Sequence, residues 1–440
     1  MSKVVKFGGS SLADAKQFKK VYQIIKEDKE RKFVVPSAPG KRFKEDTKVT
    51  DLLYKAYRAQ NKSEFNATFE EIKERYQDII DGLKLNISLD EDFEIMKKAF
   101  EDQIGEDYAA SRGEYLNGKV LAHYLEFQFI DPKDVIFIDE HGNYDIEKTD
   151  PILSAALANV ENAVIPGFYG SLNDGSGIIK AFSRGGSDVT GSIVAKNGKV
   201  DLYENWTDVS GFLIADPRIV KEPDVIETIT YKELRELSYM GASVLHENSV
   251  FPVRSEGIPI NIKNTNHPED PGTLIVESTC HKPAHVITGI AGTKGFATVM
   301  IEKDMMNSEI GFGRKVLEVF EAHDLSFEHM PSGIDTMTII VNTDEFIDKE
   351  QDVLAGLHRA VQPDSIELES DLALIAVVGR GMKASRGTAA RVFNALAKEN
   401  INIKMIDQGS SELNIIIGVS NDDFEAAIKA IYDIFVETRL

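Results

Sequence analysis

The stretch Lys6-Phe7-Gly8-Gly9-Ser10-Ser11 decides the reading of this chain, because it lies where a short apolar strand, Val4 and Val5, runs into an amphipathic helix. Two glycines let the backbone approach an anion closely, the following helix offers unpaired N–H groups and its positive dipole end, and Lys6 adds a mobile point charge. Taken alone, the stretch fits either a phosphate cradle or an ordinary strand-to-helix turn. It is neither the P-loop pattern nor the dinucleotide fingerprint. A second turn, Phe182-Ser183-Arg184-Gly185-Gly186-Ser187-Asp188-Val189-Thr190-Gly191, favours the cradle. It too follows an apolar strand, Ile178 and Ile179, and precedes helix-compatible Ser192 to Lys196, so two anion-friendly turns on one sheet imply one site. Asp188 falls at the start of that second helix, where it is either an N-cap or a catalytic group.

Outward from the first turn, a helix from Ser11 puts Phe18, Val21, Tyr22 and Ile25 on one face, and Phe33-Val34-Val35 returns as a second strand. This is a βαβ opening. Ser37 to Lys41 is a loop with Lys41 in solvent, and Thr50 precedes a short helix that buries Leu52, Leu53 and Ala56. Residues 63 to 104 are charged and helical, with Phe65, Phe69, Ile72, Tyr76 and Ile79 at helical spacing, which indicates packing and not chemistry. Ser111-Arg112-Gly113-Glu114 leads into a helix with Leu121 and Leu125, so Glu114 is expected near a helix start, where a carboxylate suits the dipole. Val164 to Gly170 reads as a buried strand ending in a glycine turn, with Phe168 in the core. Strands alternate with helices to about residue 265, which favours an α/β fold with a mostly parallel sheet. The aperiodic segment Asn264 to Pro283, with Pro268, Pro271 and Gly272, places a boundary that closes a first domain at residues 1–283.

Beyond it lies an internal repeat. Gly311, Val316, Leu317, Phe320, Leu325, Phe327, His329 and Gly333 reappear as Gly387, Val392, Phe393, Leu396, Ile401, Ile403, Met405 and Gly409, every pair offset by 76 residues. A constant offset means two related modules, at about 284–368 and 369–440. In each, an amphipathic helix precedes an alternating strand, and in the second copy the strand Leu413, Ile415, Ile417 and a helix from Phe424 to Phe435 follow. Each module is a small α+β unit.

Composition narrows the function. With 440 residues and 42% apolar content the chain can bury more than one core. A net charge of −22 leaves no basic stripe for nucleic acid. The single cysteine, Cys280, excludes an internal disulfide, and no N-terminal apolar run reads as a signal peptide or membrane span, so a cytoplasmic protein is expected.

Together the two glycine turns, Val49-Thr50-Asp51, Ser111-Arg112-Gly113-Glu114, Trp206-Thr207-Asp208-Val209 and Asp216-Pro217-Arg218 resemble the aspartate kinases of the amino-acid kinase superfamily, over nearly the whole chain and in family order. The repeat resembles the tandem ACT domains that sense amino acids in that family, where the modules interleave. The resemblance implies transfer of the ATP γ-phosphoryl group to the side-chain carboxylate of L-aspartate, at the head of the pathway to lysine, threonine and methionine. It makes Lys6 and Asp188 catalytic. It gives ATP to Lys6, Phe7, Gly8, Gly9, Ser10, Thr207, Asp208 and Arg218, and aspartate to Thr50, Glu114, Arg184 and Ser187. Glu114 would meet the substrate ammonium, and Arg184 would clamp its α-carboxylate. Nothing has the spacing of a dedicated metal site, so Mg²⁺ is expected to arrive with ATP. One departure stands out: Ser243 replaces a lysine that many family members place in the Gly241-Ala242 segment, where His246 is read as structural. The modules imply at least a homodimer and feedback inhibition, with lysine the first choice of effector and threonine the second. The effector is expected on the first module, at Met306, Ser308, Gly311, Phe312, Phe327, Glu328, His329, Ser332 and Asp335. A related kinase for glutamate or carbamate would share both glycine turns, and a pure amino-acid-binding regulator would keep the repeat and lose the kinase charges.

Overall fold

The computed structural model describes residues 1–183, 185–242, 245, 247–279 and 285–437. The chain forms two compact units: Met1–Phe212, Val225–Tyr231 and Val244–Thr279 in the first, Leu213–Asp224, Lys232–Ser243 and Cys280–Leu440 in the second. Among the described residues no helix is long and apolar enough to cross a membrane.

The strands of the first unit are β1 (Lys3–Phe7), β2 (Arg31–Pro36), β3 (Gln128–Phe129), β4 (Phe137–Ile138), β5 (Ala163–Val164) and β6 (Tyr169–Leu172). They continue with β7 (Ile179–Ala181), β8 (Leu202–Thr207), β9 (Thr228–Thr230), β10 (Ile260–Asn264) and β11 (Thr273–Val276). Eight of them form one sheet in the order β3-β5-β2-β1-β8-β10-β11-β9, parallel except at the β10–β11 pair. Val4, Val5 and Phe7 are fully buried, as a central parallel strand covered on both faces requires. The second glycine turn does not leave this sheet, contrary to expectation: β7 lies with β4 and β6 in a separate three-stranded sheet. β11 also falls inside the stretch read as an aperiodic boundary, where it extends the main sheet.

The first helix, α1 (Ala15–Glu27), starts later than expected. A 3-10 turn, Gly9–Leu12, stands between it and β1, and the Asp14 side chain caps α1 by accepting from the Gln17 N–H at 2.9 Å. Phe18, Val21 and Ile25 are buried and Tyr22 half-buried. Then follow α2 (Val49–Tyr57), α3 (Lys62–Leu83), α4 (Asp90–Glu101) and α5 (Glu106–Leu125). Phe69, Ile72, Tyr76 and Ile79 line the buried face of α3, each contributing about 1.5–3 kcal/mol by burial. Two expectations fail here. Glu114 sits in the middle of α5, not near a helix start, because α5 runs unbroken through Gly113. Phe168 is half-buried at φ 81°, its N–H donating to Thr190 Oγ1 at 3.0 Å, so it makes a turn and is not core.

The second unit holds β12 (Gly289–Glu302), β13 (Thr336–Asn342), β14 (Ser365–Val378), β15 (Met405–Asp407) and β16 (Asn414–Val419), antiparallel in the order β13-β12-β14-β16-β15. The 76-residue offset carries Gly289–Glu302 onto Ser365–Val378, and these two strands pair with Gly289 opposite Val378 and Glu302 opposite Ser365. The modules are therefore related by a pseudo-two-fold axis through one shared strand pair. Gly311 and Gly387 both stand at φ 82° before their helices, a left-handed position that explains the repeated glycine. The first-copy strand expected over Phe327–Asp335 is reduced to isolated bridges, His329–Ile340 and Ser332–Met337. Segments upstream of the repeat join this unit: buried Glu233 accepts from Thr288 Oγ1 at 2.5 Å and pairs with Arg380 Nη1 at 3.0 Å.

Candidate active site

Loops meet at the carboxyl ends of β1, β2, β5 and β8, where open parallel sheets place their ligands. The Gly8 N–H donates to the Trp206 carbonyl at 3.0 Å and the Gly40 N–H to the Gly9 carbonyl at 2.8 Å. A Cβ on Gly9 would stand 2.9 Å from the Ala38 carbonyl oxygen, and one on Gly40 only 2.5 Å from the Gly9 carbonyl carbon. Both glycines are thus demanded by the close approach of the two loops.

Lys6 is 8% exposed, and its Nζ lies 2.7 Å from Asp188 Oδ1 and 3.5 Å from Asn205 Oδ1. Asn205 Nδ2 donates to Asp188 Oδ1 at 2.8 Å. Asp188 does not cap the helix Gly186–Asn197: that position belongs to Gly185, at φ 59° with no side-chain bond. Its carboxylate instead fixes the Lys6 ammonium. Two segments 182 positions apart in sequence thus bring their charges together, as the paired turns suggested.

Ser187 packs on the backbone after β5, since a Cβ on Gly167 would lie 2.6 Å from the Ser187 Cβ. Thr50 is half-buried in the first turn of α2, next to Val49, whose N–H donates to the Pro39 carbonyl at 3.2 Å. Thr207 Oγ1 donates to Asp208 Oδ1 at 3.1 Å at the end of β8. Ser10 is half-buried in the 3-10 turn, and Phe7 is buried against the Trp206 ring, centroids 6.0 Å apart, so it shapes the turn. Arg218 belongs to a segment of the second unit, where its exposed guanidinium forks onto Asp216 at 3.0 and 2.5 Å. Arg184, Ser243 and His246 lie outside the described residues.

Glu114 is 6% exposed, and among the described residues its Oε2 has no hydrogen-bond partner. Burial pushes its carboxyl up to about 7, against the Ala38 N–H, its own amide and Arg112, which pull it down. Helix and loop are held close: a Cβ on Gly113 would stand 2.7 Å from the Ala38 Cβ, and Tyr76 OH donates to the Gly113 carbonyl at 2.7 Å. A buried carboxyl with one bond unmade is suited to receive a cation.

Two residues that hold the turns in place escaped the sequence reading. Asn205 bridges Lys6 and Asp188, and its signal was a polar pair, Glu204-Asn205, inside an otherwise apolar strand. Arg75, in the stretch read as packing, is buried and donates from Nη2 to the Gly40 carbonyl at 2.5 Å while Nη1 meets Asp46 at 2.9 Å. Hydrogen bonds from Arg42 hold Asp46 well below the usual carboxylate range, so the Gly40 loop rests on a charged clamp.

A mostly parallel sheet whose first glycine turn carries a lysine, paired with an aspartate from a second glycine turn, defines an amino acid kinase. The amino acid kinase family model matches residues 1–264, and an ACT domain model matches residues 375–435. The chain is 41% identical to aspartokinase 3 of Bacillus subtilis over 98% of both sequences, and 29% identical to chloroplastic aspartokinase 1 of Arabidopsis thaliana over 99% of this chain and 80% of that one. The crystal structure of Clostridium acetobutylicum aspartate kinase superposes with a TM-score of 0.91 at 52% identity, over 98% of this chain and 100% of that one. The chain belongs to the aspartokinases of the amino acid kinase family, ATP-dependent enzymes that phosphorylate aspartate.

Proposed function

We propose that the enzyme transfers the γ-phosphoryl group of Mg²⁺-bound ATP to the side-chain carboxylate of L-aspartate, giving 4-phospho-L-aspartate. The observation that carries this reading is the Lys6–Asp188 pair at the Gly8-Gly9 turn, accompanied by a buried carboxyl, Glu114, with an open oxygen. The attacking carboxylate is ionised at neutral pH, so no general base is needed and the obstacle is like-charge repulsion. Lys6 answers that repulsion with the turn N–H groups beyond Gly8, whose own N–H is held by Trp206, and Asp188, with Asn205, keeps the ammonium in place. Among the described residues both side-chain contacts of Asp188 fall on Oδ1, which leaves Oδ2 an oxygen donor of the kind Mg²⁺ accepts. When bound with ATP, Mg²⁺ neutralises phosphate charge. Glu114 takes the substrate ammonium, Arg184 the α-carboxylate through two parallel bonds, and Thr50 and Ser187 the remaining polar edge. Ser10, Thr207 and Asp208 serve the nucleotide.

The product heads a route to lysine, threonine and methionine, and the repeat modules make lysine the first candidate inhibitor, threonine the second. Met306 and Phe312 are buried in the first module's core and shape its loop, whereas Glu328 and Asp335 are half-buried and could meet a cationic side chain. Ile310, Phe327 and Ile334 are exposed on this module, which supports at least a homodimer. A coupled assay for ADP formation with aspartate, glutamate and carbamate tests the assignment. Turnover with aspartate alone is expected. Comparable kcat/KM with glutamate would overturn it.

A further inference from the structure

Behind Glu114, on the far side of the same helix, is a cleft that phosphoryl transfer leaves unused. Arg112 and Glu114 are two positions apart on α5, so their side chains leave it about 200° apart. Arg112 is 6% exposed, and its guanidinium lies over the rings of Tyr108 and Tyr115, 4.4 Å from each centroid, and of Tyr169 at 5.4 Å. Its Nε and Nη2 both donate to Ser111 Oγ, at 3.2 and 3.0 Å, and among the described residues no carboxylate pairs with it. Of the nearby acids, Asp92 holds Lys119 Nζ at 2.6 Å, and Asp131 accepts from the Tyr169 hydroxyl through Oδ1 alone, at 2.9 Å. A guanidinium this desolvated is costly unless an anion completes it.

Arg112 opens into a cavity of about 460 Å³, within the roughly 300–1,000 Å³ range of small-molecule sites. Lys133 and Asp131 stand on its polar side, and the only cation near Asp131 Oδ2 among the described residues is Lys133 Nζ at 3.8 Å. The same cavity is lined by Ile95, Ile104 and Ile178, all at least half exposed. Single surface isoleucines are ordinary, but three that line one cavity above an unpaired arginine make an amphipathic pocket. Arg112 suits a carboxylate, Asp131 an ammonium, and the isoleucine wall an aliphatic chain. A phosphate would meet Asp92 and Asp131 and waste the wall. We infer that this cleft binds a small aliphatic α-amino acid.

The cleft walls belong to elements that carry the active site. α5 bears Glu114, and Ile178 and Ile179 lead through β7 into the turn with Ser187 and Asp188. The bound amino acid would therefore bias aspartate binding without touching either substrate.

Calorimetry on the full-length enzyme with leucine, 3-methylbutylamine and 4-methylpentanoate tests the inference. Leucine should bind, the amine lacking a carboxylate should give no heat, and the acid lacking an ammonium should bind more weakly. Ile178→Asp, at an exposed position, and Arg112→Gln should each weaken leucine at least tenfold, and Ile178→Asp should leave turnover without leucine unchanged. No leucine binding up to about 10 mM, a concentration at which even millimolar affinity would register, overturns the inference. So does binding that survives both substitutions, which would put the amino acid elsewhere. A smaller assembly of Ile178→Asp by light scattering, with no leucine heat in the parent enzyme, overturns it in favour of a subunit contact.

Discussion

Replacing Glu114 by Gln should move stability and substrate binding in opposite directions. The carboxyl is buried, its Oε2 has no partner among the described residues, and it is pushed up to about 7 from 4.5. An acid whose folded-state value lies above its unfolded value binds more protons folded than unfolded between the two. Unfolding free energy therefore falls as pH rises through that window and levels off above it. At about 1.4 kcal/mol per unit the full effect is about 3 kcal/mol, and the part lost between pH 5 and pH 8 is about 2.5 kcal/mol. Gln has nearly the same shape and does not titrate, so Glu114→Gln escapes this fall. Whatever constant cost the amide brings, the variant should gain about 2–3 kcal/mol on the parent between pH 5 and pH 8. Urea titration followed by the single tryptophan, Trp206, reads the unit that contains Glu114. A difference between the two proteins that does not change with pH would refute the buried, ionising carboxyl.

Binding goes the other way. A charge-assisted bond of about 1.5–3 kcal/mol lost from the substrate ammonium raises the aspartate KM about 10–150-fold. Pairing with the ammonium draws the Glu114 proton off, so near pH 6.5 aspartate binding should release most of one proton. Calorimetry in two buffers of different ionisation enthalpy measures it. Equal heats in both would count against Glu114 as the ammonium partner.

Lys6→Ala should lower kcat by about 10²–10³ with little change in aspartate KM, because the charge acts on the transition state, and Asp188→Asn should lose less. Steady-state rates decide it, and near-normal kcat in Lys6→Ala would remove the cradle assignment. Arg184→Lys should raise aspartate KM and leave ATP KM unchanged, since a point charge cannot reproduce a planar clamp. The reverse pattern would move the residue to the nucleotide. Glu328→Ala with Asp335→Ala should relieve lysine inhibition, a coupling of about 1–3 kcal/mol, at unchanged uninhibited kcat. An inhibition curve identical to the parent's would place the effector elsewhere.

What could be read from sequence was what local chemistry marks. Lys6 and Asp188 sit in glycine turns, and a glycine demanded by close approach announces itself without its partner. Glu114 could be named but not placed: Gly113 costs a helix about 1 kcal/mol, which made residue 114 look like a beginning. Contact with Ala38 and the Tyr76 hydrogen bond outweigh that cost, and both partners are remote in sequence. Asn205 and Arg75 stayed hidden for the same reason, since their value lies in what they touch, 199 and 35 positions away. The repeat was visible at its helices, but the strand pair that joins the modules begins before the first matched glycine. Because β12 and β14 are offset equivalents that pair antiparallel, each module completes its sheet with a strand of the other. An effector bound to the first module would therefore act on a strand pair shared with the second, whose Arg380 pairs with Glu233 at 3.0 Å, in a segment that the amino acid kinase family match includes.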